Sequence, residues 1–109
     1  MISIVVVDED LEQLHGIVEW WSANRPAAPT LFLDEFQRCV TLLESTPDAG
    51  PRFHRTSVPG VRRLVMRRTK HVIYYVHDAD NEVVYIIAVW GGPKGSDPAL
   101  RDPVRRERR

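Results

Sequence analysis

The stretch that decides the fold is residues 61–90, VRRLVMRRTKHVIYYVHDADNEVVYIIAVW. It predicts three consecutive strands, because β-branched and aromatic residues dominate it and two short polar breaks divide it. The first strand, 61–68, mixes apolar residues with four arginines, a pattern typical of a sheet edge, where charge discourages pairing with other chains. The last strand, 83–90, is apolar apart from the Tyr85 hydroxyl, which indicates the covered centre of a sheet.

The segments before this stretch predict one more strand and two helices. Residues 2–7 are β-branched and apolar and predict a short strand buried on both faces. The acidic run 8–10 suits a helix N-terminus, because its carboxylates oppose the helix dipole and accept free N–H groups. Two segments with apolar residues at three- and four-residue steps follow, joined near Pro26 and Pro29, where the second helix is expected to begin. Four polar residues of the second helix are expected to face outward: Asp34, Glu35, Gln37 and Arg38.

The resulting order, β-α-α-β-β-β, is that of an α+β domain. We expect a helical hairpin packed on a mostly antiparallel four-stranded sheet, in a domain spanning residues 1–95. Residues 96–109 are basic and contain prolines. They hold too little apolar surface to order themselves, so they predict a flexible C-terminal tail that leaves the fold.

Composition is that of a globular domain whose charges are divided between its halves. The formal net charge of the 109 residues is zero. Yet residues 1–50 contain two basic side chains against nine acidic ones, and residues 51–109 contain thirteen against six. This division predicts an acidic helical layer over a basic sheet and tail. A basic surface can bind RNA, DNA or an acidic protein, or the two halves can neutralise each other, and charge alone does not choose.

Several kinds of chemistry have no support in the sequence. The four histidines are scattered without metal-ligand spacing, so no metal site is predicted. No glycine-rich phosphate loop and no GxSxG elbow is present, so neither a cofactor nor a serine nucleophile is expected. Cys39 lies in an apolar helical pattern and is interpreted as a small buried hydrophobe in a reducing cytoplasm. The longest apolar run, 83–90, is far shorter than a membrane span.

A cluster of basic side chains on the first two strands of 61–90 is the candidate functional group. Arginine or lysine there can stabilise the phosphate in a metal-free phosphodiester cleavage, while histidine, tyrosine or lysine moves protons. Arginines on an edge strand serve equally well as solubility devices or as clamps for an acidic partner. The second interpretation is preferred for Arg62 and Arg63, and the two are balanced for Arg67, Arg68 and Lys70. The cluster comprises Arg62, Arg63, Arg67, Arg68, Lys70 and His71.

Several motifs together resemble the ParE branch of the ParE/RelE toxin superfamily. The superfamily consists of small bacterial toxins of type II toxin–antitoxin pairs, often labelled plasmid-stabilisation proteins. The resemblance extends to about Gly95, and the element order of the family is the one predicted above. The motifs are VEWW at 18–21, NRPAA at 24–28, PGVRRL at 59–64, RRT at 67–69, YY at 74–75 and AVW at 88–90.

The resemblance implies a toxin held inactive by a cognate antitoxin whose tail wraps the helical hairpin and the sheet. ParE-like members are associated with poisoning of DNA gyrase, whereas RelE-like members cut mRNA on the ribosome with an arginine that falls at Arg67 or Arg68. Many members continue AVW with a histidine and basic residues. Here Gly91 stands in place of that histidine, and only Lys94 keeps a basic position. The departure removes the best candidate general acid or base and favours a binding role over an enzymatic one.

Three functions follow as hypotheses. The first is a growth-inhibiting toxin that binds a macromolecular target, with DNA gyrase as the expected one. The second is a ribosome-dependent mRNA endoribonuclease that uses Arg67 or Arg68 for the phosphate and Lys70, His71 or Lys94 for proton transfer. The third is a member that binds its antitoxin without harming the cell.

The antitoxin is expected to meet two surfaces. One is apolar surface left uncovered on the hairpin, at Trp20, Trp21 or Phe32, because three large aromatics exceed what one narrow stripe needs. The other is the arginine strand at Arg62 and Arg63, where the antitoxin should be acidic. A homodimer and a toxin–antitoxin hetero-oligomer both remain open.

Overall fold

The computed structural model describes residues 1–91 and 98–104. Four strands form one mixed sheet in the order β1-β4-β3-β2, in which β1 runs parallel to β4 and the other neighbours are antiparallel. The predicted α+β fold, with its mostly antiparallel sheet and its order of elements, is confirmed. The elements are β1 (Ser3–Val6), α1 (Asp8–Asn24), α2 (Leu31–Ser45), β2 (Val61–Met66), β3 (His71–Asp78) and β4 (Val83–Gly91).

The strands occupy the sheet as their composition predicts, with one exception. The apolar β4 lies inside the sheet between β1 and β3, and the arginine-rich β2 lies at an edge. The expectation that residues 2–7 are buried on both faces is wrong, because β1 is the other edge strand and helices cover only one of its faces. The Val5 side chain is accordingly 41% exposed.

Both helices cover one face of the sheet, which we call the helix face. Helix α1 begins at Asp8, as the acidic run 8–10 predicts. Helix α2 begins at Leu31 rather than at the prolines, because residues 25–31 form turns in which Ala28 N–H donates to Arg25 C=O at 3.0 Å. The buried residues of this layer are Leu14, Phe32, Phe36, Leu43, Met66, Ile73, Tyr75, Val84, Ile86 and Val89.

The opposite side of the sheet, which we call the helix-free face, holds a second apolar cluster. The loop before β2 contributes Phe53 and Val58, each 7% exposed. Leu100 and Val104 pack against the same cluster. Residues 98–104 therefore lie on the domain, and the rest of the predicted tail, 96–97 and 105–109, lies outside the described residues. The buried strand residues of the cluster are Val61, Tyr74, Val76 and Ala88.

Two further expectations concern single features. Cys39 is a free thiol, partly buried on α2, and burial is the largest cause that raises its pKa. In the described part of the chain, neither helix combines the length and apolar character that crossing a membrane requires.

Candidate functional site

The candidate site is the turn that joins β2 to β3, residues 67–70, which we call the basic turn. Lys70 N–H donates to Met66 C=O at 2.9 Å and closes the turn. Lys70 itself adopts a left-handed backbone with φ of 65°, an uncommon conformation for a residue other than glycine. Arg67, Arg68 and Lys70 are exposed, whereas Thr69 points inward and is 7% exposed.

The Glu35 carboxylate on α2 accepts hydrogen bonds from the basic turn. Its Oε2 accepts the Arg68 backbone N–H at 2.8 Å, and its Oε1 accepts the Thr69 N–H at 3.0 Å and the Thr69 hydroxyl at 2.7 Å. Burial is the largest single influence on the Glu35 pKa and raises it, but the three hydrogen bonds and the charge of Arg68 together outweigh burial and lower it. The turn is therefore fixed by an ionised carboxylate.

The outward orientation predicted for Glu35 is wrong, since the side chain is only 8% exposed. On a helix, residues three and four positions apart share a face. Glu35 lies three residues after Phe32 and four before Cys39, so it belongs to the buried side of α2. This spacing could have predicted that Glu35 is buried. A buried carboxylate requires hydrogen-bond donors, and a turn whose N–H groups have no backbone acceptor can provide them.

The three cations of the basic turn lie together on the surface of the domain. Among the described residues, no ion pair within 4.0 Å includes Arg67, Arg68 or Lys70. Because Glu35 uses its oxygens on backbone and hydroxyl donors, the charged side chains remain directed to solvent. The arrangement is a preorganised cationic surface at one end of the sheet.

His71 lies directly after the basic turn and fills the space above Gly91. Its Nδ1 is 3.0 Å from the Thr69 carbonyl oxygen, and its ring meets Phe32 edge-on at 4.9 Å between centroids. His71 pairs with Gly91 across β3 and β4, and a Cβ at position 91 would lie 3.1 Å from His71 Nε2. Gly91 thus leaves room for the His71 ring. Lys94, the remaining candidate for proton transfer, lies outside the described residues.

Arg62 and Arg63 point to opposite faces of β2, and each contacts the domain itself. Arg62 Nη1 donates to the Gly50 carbonyl oxygen at 2.8 Å, and its Nε lies 3.4 Å from Asp48 Oδ1. The Arg63 guanidinium carbon lies 5.9 Å from the centre of the Phe53 ring and 5.8 Å from that of the Tyr74 ring. The two arginines are therefore already engaged with their own chain, whereas those of the basic turn are not.

No sequence pattern indicated the polar junction that Arg62 joins. Asp48 Oδ1 also lies 3.0 Å from His77 Nδ1, and Gly50 N–H donates to the Tyr75 hydroxyl at 2.9 Å. Burial raises the Tyr75 pKa. A Cβ on Gly50 would lie 2.4 Å from the Arg63 carbonyl oxygen, so only glycine fits this approach. The junction fastens the loop after α2 to the edge of the sheet.

The aromatic residues of the hairpin divide into exposed and buried members. Trp20 is 50% exposed and meets Trp21 edge-on, with 5.9 Å between ring centroids. The Arg25 guanidinium carbon lies 5.9 Å from the Trp20 ring centre and 5.6 Å from that of Trp21. Phe32 is fully buried against Phe36 and the sheet, so it does not offer the uncovered apolar surface expected of it. The Trp20 surface remains available for a partner.

Within the described residues, no three histidine, cysteine, aspartate or glutamate side chains lie close enough together to hold a metal ion.

Comparison with known families gives a match over most of the chain. A family model described as the ParE toxin of the type II toxin–antitoxin system, parDE, matches residues 8–93. The matched region contains both helices, strands β2 to β4 and the whole basic turn. A comparison with curated proteins gives no match.

Proposed function

We propose that this chain, which belongs to the ParE toxin family of type II toxin–antitoxin systems, arrests growth by binding a macromolecular target through its basic turn. DNA gyrase is the target we expect, and a cognate antitoxin is expected to neutralise the toxin. The observation that carries the proposal is the basic turn itself. Its three exposed cations have no ion-pair partners among the described residues, and three hydrogen bonds to Glu35 fix their backbone.

Two features favour binding over catalysis. Position 91 carries no side chain that could move a proton. His71, the nearest titratable side chain with a suitable ring, is packed against Phe32 and lies beside the Thr69 carbonyl oxygen. A fixed group of cations beside a histidine whose ring is packed in place suits recognition of an anionic surface better than bond cleavage.

The antitoxin is expected to combine two contacts. An acidic segment would complement Arg67, Arg68 and Lys70, since opposite charges speed association and fix the register of a complex. An apolar segment would cover Trp20, whose exposed ring stacked with Arg25 has the composition of a binding hot spot. Arg62 and Arg63 contribute less in this proposal, because their guanidinium groups already contact the domain.

The first test compares two double variants in cells that express the toxin alone or with the neighbouring antitoxin gene. Arg67→Ala/Arg68→Ala should restore growth, because it removes two of the three cations of the turn. Arg38→Ala/Arg52→Ala is the matched control, since both side chains are exposed elsewhere, and it should remain toxic. Equal toxicity of both double variants, with both proteins folded, would contradict the proposal. Failure of the wild-type protein to slow growth would instead indicate a member that binds antitoxin only.

The endoribonuclease alternative rests on the contiguity of His71 with the basic turn. Primer extension on mRNA after induction separates it from the first proposal. We expect intact mRNA, together with loss of supercoiling when the purified protein is added to DNA gyrase. Cleavage between codons that disappears in Arg67→Ala or Arg68→Ala would establish the alternative.

A further inference from the structure

The helix-free face of the sheet is apolar, although no helix covers it. An antiparallel sheet with one face open to water normally presents polar residues there. In this domain the face presents Val72, Ile87 and Trp90, all partly buried, around the buried Tyr74, Val76 and Ala88. Such a face needs a cover, because large contiguous apolar patches are rare on soluble proteins unless something binds them.

Two segments provide the cover, and they are attached in different ways. The loop before β2 is joined to the edge strand by its backbone: Phe53 N–H donates to Val61 C=O at 2.8 Å, and Arg63 N–H donates to Pro51 C=O at 3.0 Å. The Phe53 ring also meets Tyr74 edge-on at 5.0 Å between centroids. This part of the cover belongs permanently to the domain.

Residues 98–104, which we call the strap, cover the remainder with much weaker attachment. No backbone hydrogen bond joins the strap to the sheet in the described residues. Its ion pair, Arg101 Nη1 to Glu9 Oε1 at 2.9 Å, joins side chains that are 82% and 71% exposed, and such surface pairs contribute little. Two apolar side chains, Leu100 and Val104, pack on the face as anchors of the strap, and both are only partly buried.

The strap borders two open clefts on the helix-free side of the domain. Leu100 lines a cleft of about 750 Å³ together with Val7 and Ile87. Val104 lines a second cleft together with Val76 and Pro59.

We propose that the helix-free face is a docking groove for an extended peptide and that residues 98–104 occupy it as a displaceable strap. The strap defines the chemistry of an incoming peptide: an apolar residue, a basic residue directly after it, and a second apolar residue four positions after the first. The two apolar side chains enter the clefts at Ile87 and Val76, and the cation faces Glu9. A partner with this pattern binds only by displacing the strap.

The test adds a synthetic peptide of residues 98–104, PALRDPV, to the full-length protein and to its Leu100→Ser/Val104→Ser variant. Titration is followed by the NMR shifts of the Val76 and Ile87 methyl groups. The variant should bind the peptide at least tenfold more tightly than the wild type, because a tethered strap competes at an effective concentration in the millimolar range. The same peptide with both apolar residues replaced by serine should leave the shifts unchanged.

Two controls keep the test decisive. Leu11→Ser/Leu42→Ser removes two exposed aliphatic side chains from the helices and should bind the peptide as weakly as the wild type. Arg101→Ala retains both anchors and changes only an exposed residue, so it should fold normally and bind the peptide roughly twofold to fivefold more tightly than the wild type. Unchanged Val76 and Ile87 shifts in every protein would overturn the proposal, as would equal affinity for the wild type and both strap variants.

Discussion

Glu35 and Asp10 are both buried carboxylates, yet the structure satisfies them to different degrees. Glu35 accepts three hydrogen bonds from the basic turn, and its pKa is lowered. Asp10 is 2% exposed and accepts one, from Val89 N–H at 3.0 Å, while its Oδ2 is buried without a partner among the described residues. Burial is the larger effect on Asp10 and raises its pKa to about 6.

Each carboxylate takes the place of a missing backbone partner. Strand β1 ends at Val6, which pairs with Ile86, whereas β4 continues to Gly91. The first turn of α1 then supplies Asp10 to the Val89 N–H that β1 does not reach. In the same way, Glu35 takes up donors of a turn that no strand pairs. The number of donors decides the charge state that burial favours. A buried carboxylate with three donors is stabilised as an anion, whereas one with a single donor is destabilised in its charged form.

The largest expected effect comes from removing the better satisfied carboxylate. Glu35→Ala leaves the Arg68 and Thr69 donors without an acceptor and should lower the free energy of unfolding by roughly 2 to 3 kcal/mol. Denaturant unfolding followed by circular dichroism measures the change. Asp34→Ala, at the exposed neighbouring position, is the matched control and should change stability by less than about 0.5 kcal/mol. Equal stability of the two variants would show that the Glu35 contacts do not hold the turn.

A single donor can be removed from the same carboxylate with a smaller effect. Thr69→Val keeps the side-chain shape but deletes the hydroxyl that donates to Glu35 Oε1 at 2.7 Å. We expect a loss of about 1 kcal/mol in unfolding free energy and a rise of the Glu35 pKa toward its ordinary value. The pH dependence of the melting temperature below pH 4.5 reports that rise. A pKa that does not move would mean that the backbone donors alone keep Glu35 ionised.

The sequence predicted the parts of the fold that depend on local patterns. The three- and four-residue spacing predicted the two helices. The apolar run of β4 predicted a central strand, and the arginines of β2 predicted an edge strand. Neither buried carboxylate was predicted, because the donors are distant in sequence: 34 residues separate Glu35 from Thr69, and 79 separate Asp10 from Val89. The acidic run 8–10 correctly marked a helix start, but the pattern could not show that its last member turns inward.

The candidate site was predicted in composition but not in arrangement. Arg67, Arg68 and Lys70 were identified as part of a basic cluster, with both arginines predicted at the end of the first strand, 61–68. In the structure β2 ends at Met66, and all three residues lie on one turn. What separates them from Arg62 and Arg63 is the set of partners at Asp48, Gly50 and Phe53, which lie on a loop with no periodic pattern. The strap was missed for a related reason: Leu100 and Val104 are isolated apolar residues in a basic, proline-containing segment, and they become anchors only against a sheet face.

The two carboxylates should respond oppositely to pH. The folded-state pKa of Glu35 is below its ordinary value of 4.5, so its stabilisation is present above that pH and is lost as the pH falls through the folded pKa. The folded-state pKa of Asp10 is raised from 3.8 to about 6. Its contribution is therefore fully present below pH 3.8 and is lost as the pH rises through about 6, because in that interval the unfolded chain has released a proton that the folded protein still binds.

Asp10→Asn isolates this contribution and should have the smallest effect below about pH 4, about 1 kcal/mol or less, because its amide oxygen can accept the Val89 N–H as the protonated carboxyl does. The main effect of the substitution is on the slope of stability against pH. Wild-type stability carries a component that decreases between about pH 4 and pH 6, and the variant should lack it, since asparagine does not titrate. Melting temperatures measured across that interval compare the two proteins. Asp8→Asn changes an exposed carboxylate two residues earlier and should retain the wild-type slope. An unchanged slope in Asp10→Asn would mean that Asp10 gains solvent or a donor in solution, and that the contrast with Glu35 is smaller than the burial of both side chains indicates.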